Sequence, residues 1–144
     1  MSIPTKRELQ RGAAALEFAL VAPVLIMLVF GIADFALMFN NQSVFANASR
    51  DAARAASFSA TKAEITAVVT SETSQLPNIS GTPTVTVTCK KPNGTACGAN
   101  YDTEKESGGS VRVSITYVHA WMTPQLLGLP NTATITKVSE LRIE

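Results

Sequence analysis

The chain has 144 residues and carries 12 Lys and Arg side chains against 11 Asp and Glu. This near-neutral balance argues against binding to nucleic acid, or to an acidic substrate, through bulk charge. The length leaves room for one membrane anchor and one small domain, so functions that need two folded domains are excluded.

Residues 1–12 form a short polar segment ahead of a long apolar run. The segment contains Lys6, Arg7 and Arg11 against a single acid, Glu8. Positive charge beside the first apolar segment keeps that flank on the cytoplasmic side of a membrane. We therefore expect residues 1–12 to be a cytoplasmic basic leader and the C-terminal part of the chain to be exported.

Residues 13–39 are predicted to form a transmembrane helix. No residue from Phe18 to Ala33 is charged, and an α-helix over 13–39 would extend about 40 Å, more than the roughly 30 Å hydrocarbon core of a bilayer. The alternatives are a cleaved secretory signal and a buried helix of a soluble protein. Pro23 should kink the helix or start a fresh segment, and Asp34 should lie at the outer membrane boundary or pair inside an assembly.

Gly12 separates the basic leader from the apolar run, and Glu17 follows five residues later. Glycine leaves the backbone open to a peptidase, so the arrangement predicts a leader junction between Gly12 and Ala13. Cleavage there would create an α-amino group on Ala13 one helical turn from Glu17, a favourable spacing near the positive end of the helix dipole. A neighbouring subunit's amine and water at the membrane surface are the other partners open to Glu17.

The anchor is predicted to continue as an amphipathic helix into an exported head domain, residues 40–144. Apolar residues recur there at helical spacing, from Phe45 through Ala52 to Phe58. A second helix is predicted over 62–75, with Thr61 as its N-cap and Glu64 in capping-box spacing.

Two later runs, 84–89 and 111–117, alternate apolar and polar residues, and a third, 133–143, is β-rich but less regular. Together they predict three half-buried strands. Residues 100–109 form a polar stretch that ends in Ser107-Gly-Gly, and we expect a loop there. With helices preceding strands, the predicted fold is α+β. A long N-terminal transmembrane helix continues into an amphipathic helix, which packs on a small three-stranded antiparallel sheet.

Cys89 and Cys97 flank the seven residues KKPNGTA, whose Pro-Asn-Gly is a strong turn signal. A disulfide is the prediction if the head lies in an oxidising compartment, and a pair of reduced structural thiols is the alternative. Two thiols and one histidine do not make up the four ligands of a zinc site, so no metal is expected.

The connection between the last two predicted strands, residues 119–128, is unusually apolar. Trp121, Met122, Leu126 and Leu127 either fold over one end of the core or present a contact surface to a partner or to the membrane boundary. His119 is expected to be a structural side chain. With one histidine and no nucleophile, carboxylate pair or phosphate loop in a recognisable arrangement, we expect a structural protein rather than an enzyme, with no cofactor.

Gly12, four further residues, Glu17 and Phe18, followed by the apolar run, together resemble the junction cut by prepilin peptidases in the type IV pilin superfamily. More narrowly, RGAAALEFALVAPVLIMLVFGIADF, the Ala-rich NASRDAARAAS and the C-terminal YVHAWMTPQLLGLPNTATITKVSELRIE resemble TadE-like minor pilins, or pseudopilins, of the tight-adherence (Flp) pilus system.

The resemblance implies cleavage between Gly12 and Ala13, N-methylation of Ala13, and docking of subunits through Glu17 and Phe18. It also implies a bacterial inner-membrane location, with the head periplasmic or extracellular. The implied partners are a prepilin peptidase, other pilin subunits and the inner-membrane assembly platform. The alternative function is a single-pass, membrane-anchored binding or scaffolding module that never enters a filament.

Overall fold

The computed structural model describes residues 6–123 and 130–144, with side chains from Gly12 onward except that of Ala13. It has the predicted α+β architecture of a long N-terminal helix followed by a small three-stranded antiparallel sheet. In chain order the elements are α1 (Lys6–Ser57), α2 (Lys62–Thr73), β1 (Ile79–Lys90), α3 (Tyr101–Glu104), β2 (Ser110–Ala120) and β3 (Thr132–Arg142).

Helix α1 has 52 residues and is continuous through Pro23. Pro23 has no N–H to donate to the carbonyl of Ala19, yet no new segment starts at this position. The apolar run and the amphipathic run are therefore one element, as predicted, and of the two alternatives at Pro23, a kink or a fresh segment, the fresh segment is excluded.

The core of the head lies between the C-terminal half of α1 and the sheet. Small side chains at Ala48, Ala52 and Ala56 are fully buried and let the helix backbone lie close to strands β2 and β3. Phe45 fills the space beyond them and stacks on Tyr117 of β2, with 3.8 Å between the ring centroids. The facing residues of β2 are Val111, Val113, Ile115, Tyr117 and His119, all buried in alternation with more exposed neighbours.

One predicted core position of α1 is wrong. Phe58 is 63% exposed, because α1 ends at Ser57 and the chain turns at Ser59, which has a φ of 65°. Phe58 therefore lies outside the helix and does not continue its buried face.

Helix α2 begins with the predicted capping box. The Thr61 hydroxyl accepts from the Glu64 N–H, and the Glu64 carboxylate accepts from the Thr61 N–H at 2.7 Å. The helix ends at Thr73, two residues short of the prediction, and buries Ile65 and Val69 against the core.

The strands pair antiparallel in the order β1-β2-β3, and all three extend beyond their predicted bounds at one end or both. Central pairs include Val87 with Val113, and Val113 with Ser139. The predicted loop over 100–109 contains one helical turn, α3, which the sequence did not reveal. Tyr101 anchors this turn, since its buried ring lies in the core and its hydroxyl donates to the Ala56 carbonyl at 3.2 Å.

Candidate assembly surface and helix–head junction

The N-terminal half of α1 carries a large apolar surface that no other part of the described chain covers. Ala14–Ser57 is long and apolar enough to cross a membrane, and its most apolar window has a mean hydropathy of 2.5 with none of its residues buried. Apolar patches of this extent are rare on soluble monomers and mark a membrane or an interaction site. The large apolar side chains left more than half exposed are Leu16, Phe18, Leu20, Val21, Val24, Leu25, Ile26, Leu28, Val29, Phe30, Ile32, Phe35 and Phe39.

Gly12, Glu17 and Phe18 lie at the start of this surface. A Cβ added to Gly12 would have no heavy atom within 4 Å. Phe18 is 70% exposed, and Glu17 is exposed and has no hydrogen-bond or ion-pair partner among the side chains that the structure describes. The side chain of Ala13 lies outside the described part, so the predicted pairing of Ala13 with Glu17 stays a prediction.

Asp34 joins α1 to the head. Its side chain is 1% exposed and accepts hydrogen bonds from the Met122 N–H at 3.2 Å and from the Thr123 N–H at 2.8 Å. The Thr123 hydroxyl donates to the same carboxylate. Three donors satisfy a buried carboxylate and offset its loss of water. Asp34 therefore pairs with Met122 and Thr123 of its own chain. This arrangement was not among the predicted ones.

Aromatic side chains pack around this contact. The Trp121 ring lies edge-on to Phe35, with centroids 5.3 Å apart, and to His119, with centroids 4.9 Å apart. His119 is fully buried, and within residues 6–123 and 130–144 neither of its ring nitrogens has a hydrogen-bond partner. Burial lowers the pKa of His119, while the negative charge of Asp34 opposes that shift. His119 is therefore a packing side chain of the junction in its neutral form.

Met122 borders a shallow apolar groove between the head and α1. Ile26, Met27 and Phe30 line its helix side, Met122 and Thr123 line its head side, and its volume is about 230 Å³. Trp121 and Met122 thus lie at the junction rather than over the end of the core. Leu126 and Leu127, predicted to share their surface, lie outside the described residues.

Cys89 and Cys97 are joined in a disulfide, with their Cα atoms 5.3 Å apart. The bond closes the turn after β1, where the Cys97 N–H also donates to the Cys89 carbonyl at 2.9 Å. Across the described residues, no three His, Cys, Asp or Glu side chains come together in a way that could hold a metal ion.

The fold and the exposed surface define a class of protein: a small α+β head carried on one long helix whose apolar part is long enough to cross a membrane. Within that class, residues 12–54 match the family model described as TadE-like protein. The match covers the N-terminal part of the chain, which is therefore similar to TadE-like proteins, and it supports an association with the Tad pilus system. The matched residues begin at Gly12 and end in the amphipathic half of α1, so they include Glu17, Phe18 and Asp34. Comparisons with curated proteins and with solved structures give no match.

The contact of Asp34 with Met122 and Thr123 is the feature of this site that sequence reasoning missed. The carboxylate and its donors are separated by 88 and 89 positions. The signal that the sequence offered was Asp34 itself, since an ionisable residue inside an apolar helix needs a partner. Nothing in the local pattern indicates which segment supplies it.

Proposed function

We propose that this chain is a minor pilin, or pseudopilin, subunit of a Tad (Flp-type) pilus. It is inserted with its N-terminus in the cytoplasm, cut after Gly12 by a prepilin peptidase, and packed through α1 among other pilin subunits. The head stays outside and contributes to pilus assembly, surface adhesion or secretion. One observation carries the proposal: the uncovered apolar half of α1, which begins at Gly12 and has Glu17 as the acid next to its start.

The apolar surface of α1 supports both stages of this life cycle. It extends around the helix, so lipid covers it while the subunit waits in the membrane and neighbouring helices cover it in the assembly. The same apolar side chains pack against lipid in the membrane and against neighbouring helices in the assembly. Transfer from lipid to the assembly therefore requires no refolding of the head.

Glu17 gives the assembly a specific electrostatic contact. A carboxylate surrounded by hydrocarbon is unfavourable by about 2.5–3.5 kcal/mol or more at the bilayer centre, so it favours any position where a cation meets it. Cleavage after Gly12 creates such a cation, the α-amino group of Ala13. The pair forms within one chain or between neighbours and fixes the axial position of the helix.

Gly12 lies within α1 and is a suitable cleavage position because glycine weakens the helix there. Glycine in a helix interior destabilises the helix by roughly 1 kcal/mol relative to alanine, which eases local unwinding for a peptidase. The basic side chains of the leader hold this point near the cytoplasmic surface. The assembly platform and the peptidase are thus membrane partners, and we propose no catalytic activity for the chain itself.

The experiment that tests the proposal is processing of Gly12→Ala in cells that contain an active prepilin peptidase. We expect the wild-type chain extracted from membranes to begin at Ala13 and the variant to keep its leader, by N-terminal sequencing and intact mass. Gly31→Ala is the matched control, because Gly31 lies in the same helix and a Cβ there also has no heavy atom within 4 Å. This control should be cut like the wild type. A wild-type chain that keeps its leader while a known substrate is cut would refute the proposal.

A further inference from the structure

At the start of the β2–β3 connection, each backbone N–H from Ala120 to Thr123 has an acceptor within the chain. The N–H of Ala120 donates to the Asn78 carbonyl and that of Trp121 to the Asn131 carbonyl, both at 2.8 Å. The next two N–H groups, of Met122 and Thr123, donate to Asp34. In water a loop has no need for this, since solvent accepts from free N–H groups. At the edge of a hydrocarbon layer each unsatisfied group costs several kcal/mol, so complete internal pairing is required.

This segment lies beside the apolar part of α1 and not beyond its end. The groove at Met122 is lined by Ile26, Met27 and Phe30, which precede Asp34 by four to eight positions. At about 1.5 Å per residue these positions lie roughly 6–12 Å from Asp34 along the helix axis, toward the middle of the apolar run. Met122 is 52% exposed at that level.

The groove offers little to a polar partner. Its lining has no charged side chain among the described residues. Thr123 is the polar residue among the described lining, and its backbone N–H and its hydroxyl both already donate to Asp34. The groove also opens onto the same uncovered apolar surface of α1. What fits it is a flexible apolar chain from the medium that covers the rest of the helix.

We propose that residues 121–123 enter the outer boundary of the bilayer beside α1 and that a lipid acyl chain occupies the groove between Met122 and Phe30. The proposal rests on the proposed insertion of α1 in a membrane. It gives the head a second point of contact with the lipid surface, with the Asp34 carboxylate serving as the internal acceptor that a loop at this depth needs. Trp121 lies at the polar boundary, a position that tryptophan favours. Two contacts fix the tilt of the head over the membrane before assembly.

Trp121 is the only tryptophan of the chain, so its fluorescence reports on this segment alone. The full-length chain is reconstituted in phosphatidylcholine vesicles whose acyl chains carry bromine either near the headgroup or near the chain end. We expect strong quenching by the shallow bromine, weaker quenching by the deep one, and little quenching by iodide in the buffer. Quenching by iodide with none by either bromolipid would overturn the proposal.

Two lysine variants separate a local contact from a general effect. Met122→Lys should reduce bromolipid quenching about twofold or more, because a charge is unfavourable at that depth. Val138→Lys is the matched control, since Val138 is a similarly exposed apolar residue, 44% accessible, on β3. It should leave quenching unchanged. Equal loss in both variants would contradict a specific contact at Met122.

Alkaline carbonate extraction of the same vesicles separates membrane insertion of α1 from contact of residues 121–123 with lipid. Release of the chain by carbonate would refute membrane insertion, and with it the proposed function. A chain that resists extraction but shows no bromolipid quenching would refute only the second contact. Quenching that disappears as the protein-to-lipid ratio rises would assign the groove to a second copy of the chain and overturn the lipid assignment.

Discussion

Asp34 and Glu17 are two acids on one apolar helix, and they have different surroundings. Asp34 is buried and accepts from three donors of the head. Glu17 is exposed, and no described side chain lies within bonding distance of it. A residue with all its bonds made holds the fold together, whereas an exposed acid in an apolar surface is available to another molecule. Asp34 therefore stabilises the subunit itself, and an assembly role for Glu17 is part of the proposed function.

We predict that Glu17→Gln prevents incorporation into pili while membrane insertion persists. The amide has nearly the same shape but cannot pair with the cationic N-terminus of a cleaved subunit. Pilus yield and subunit content are measured by shearing and immunoblotting, and insertion is measured by carbonate extraction. Glu17→Asp keeps the charge and should retain at least part of the incorporation.

Normal pili with normal incorporation of Glu17→Gln would favour the alternative function. An anchored binding or scaffolding module that never enters a filament needs no acid at this position. The assembly phenotype of a single side chain therefore separates the two functions.

Helix α1 combines two kinds of surface along one element. Residues 18–33 are apolar on all sides, as expected of a helix in lipid, and the second half of α1 is apolar on the face that carries Phe45, Ala48 and Ala52. Asp34 lies where the first surface meets the second, and its bonds to the loop fix the helix relative to the sheet. Because α1 is continuous, the orientation of its apolar part and that of the head are linked.

We predict that Asp34→Ala loosens the junction without unfolding the head. Leaving the N–H groups of Met122 and Thr123 without an acceptor costs about 1–3 kcal/mol for each buried donor. Hydrogen exchange of the chain in lipid nanodiscs should show faster exchange at residues 121–123 and unchanged protection in β2. Asp51→Ala, at an exposed acid of the same helix, should leave the junction unchanged. Unaltered exchange at 121–123 in Asp34→Ala would show that the carboxylate does not hold the loop.

The stability of the head should depend on pH through His119, which is buried at the junction. The pKa of His119 in the folded chain lies below its ordinary value of 6.5, chiefly because of burial. Between these two values the unfolded chain binds the proton and the folded chain does not. Stability is therefore full above about pH 6.5 and falls as the pH decreases toward the folded pKa. Asp34 of α1 is the charged group that faces His119 among the described residues, and it limits the effect.

We predict that His119→Phe reduces this decline. Neither ring nitrogen has a partner in the described structure, so a phenylalanine of similar size loses no hydrogen bond. The free energy of unfolding is measured by urea titration of the detergent-solubilised chain between about pH 5 and pH 8. The wild type should become less stable toward the acid end, and the variant should show a smaller slope. Equal slopes would show that other groups control the acid sensitivity of the head.

The sequence by itself determined the elements whose causes are local. The unbroken apolar run specified the long N-terminal helix, and the Thr61 and Glu64 spacing specified the start of α2. Alternation specified the first two strands, and β-rich composition specified the third. The turn between Cys89 and Cys97 was also visible, because the residues that shape it lie between the two thiols. Helical and strand periods, caps and turns act over a few residues, so they can be recognised before the fold is known.

Only the tertiary structure decided which distant segments meet. The loop at Met122 and Thr123 supplies the partners of Asp34, Tyr101 reaches Ala56, and the turn after α1 exposes Phe58. Each of these outcomes depends on where the sheet lies against the second half of α1, and no local pattern encodes that placement. A buried carboxylate reveals in sequence that it needs donors, and packing between elements far apart in the chain determines where those donors come from.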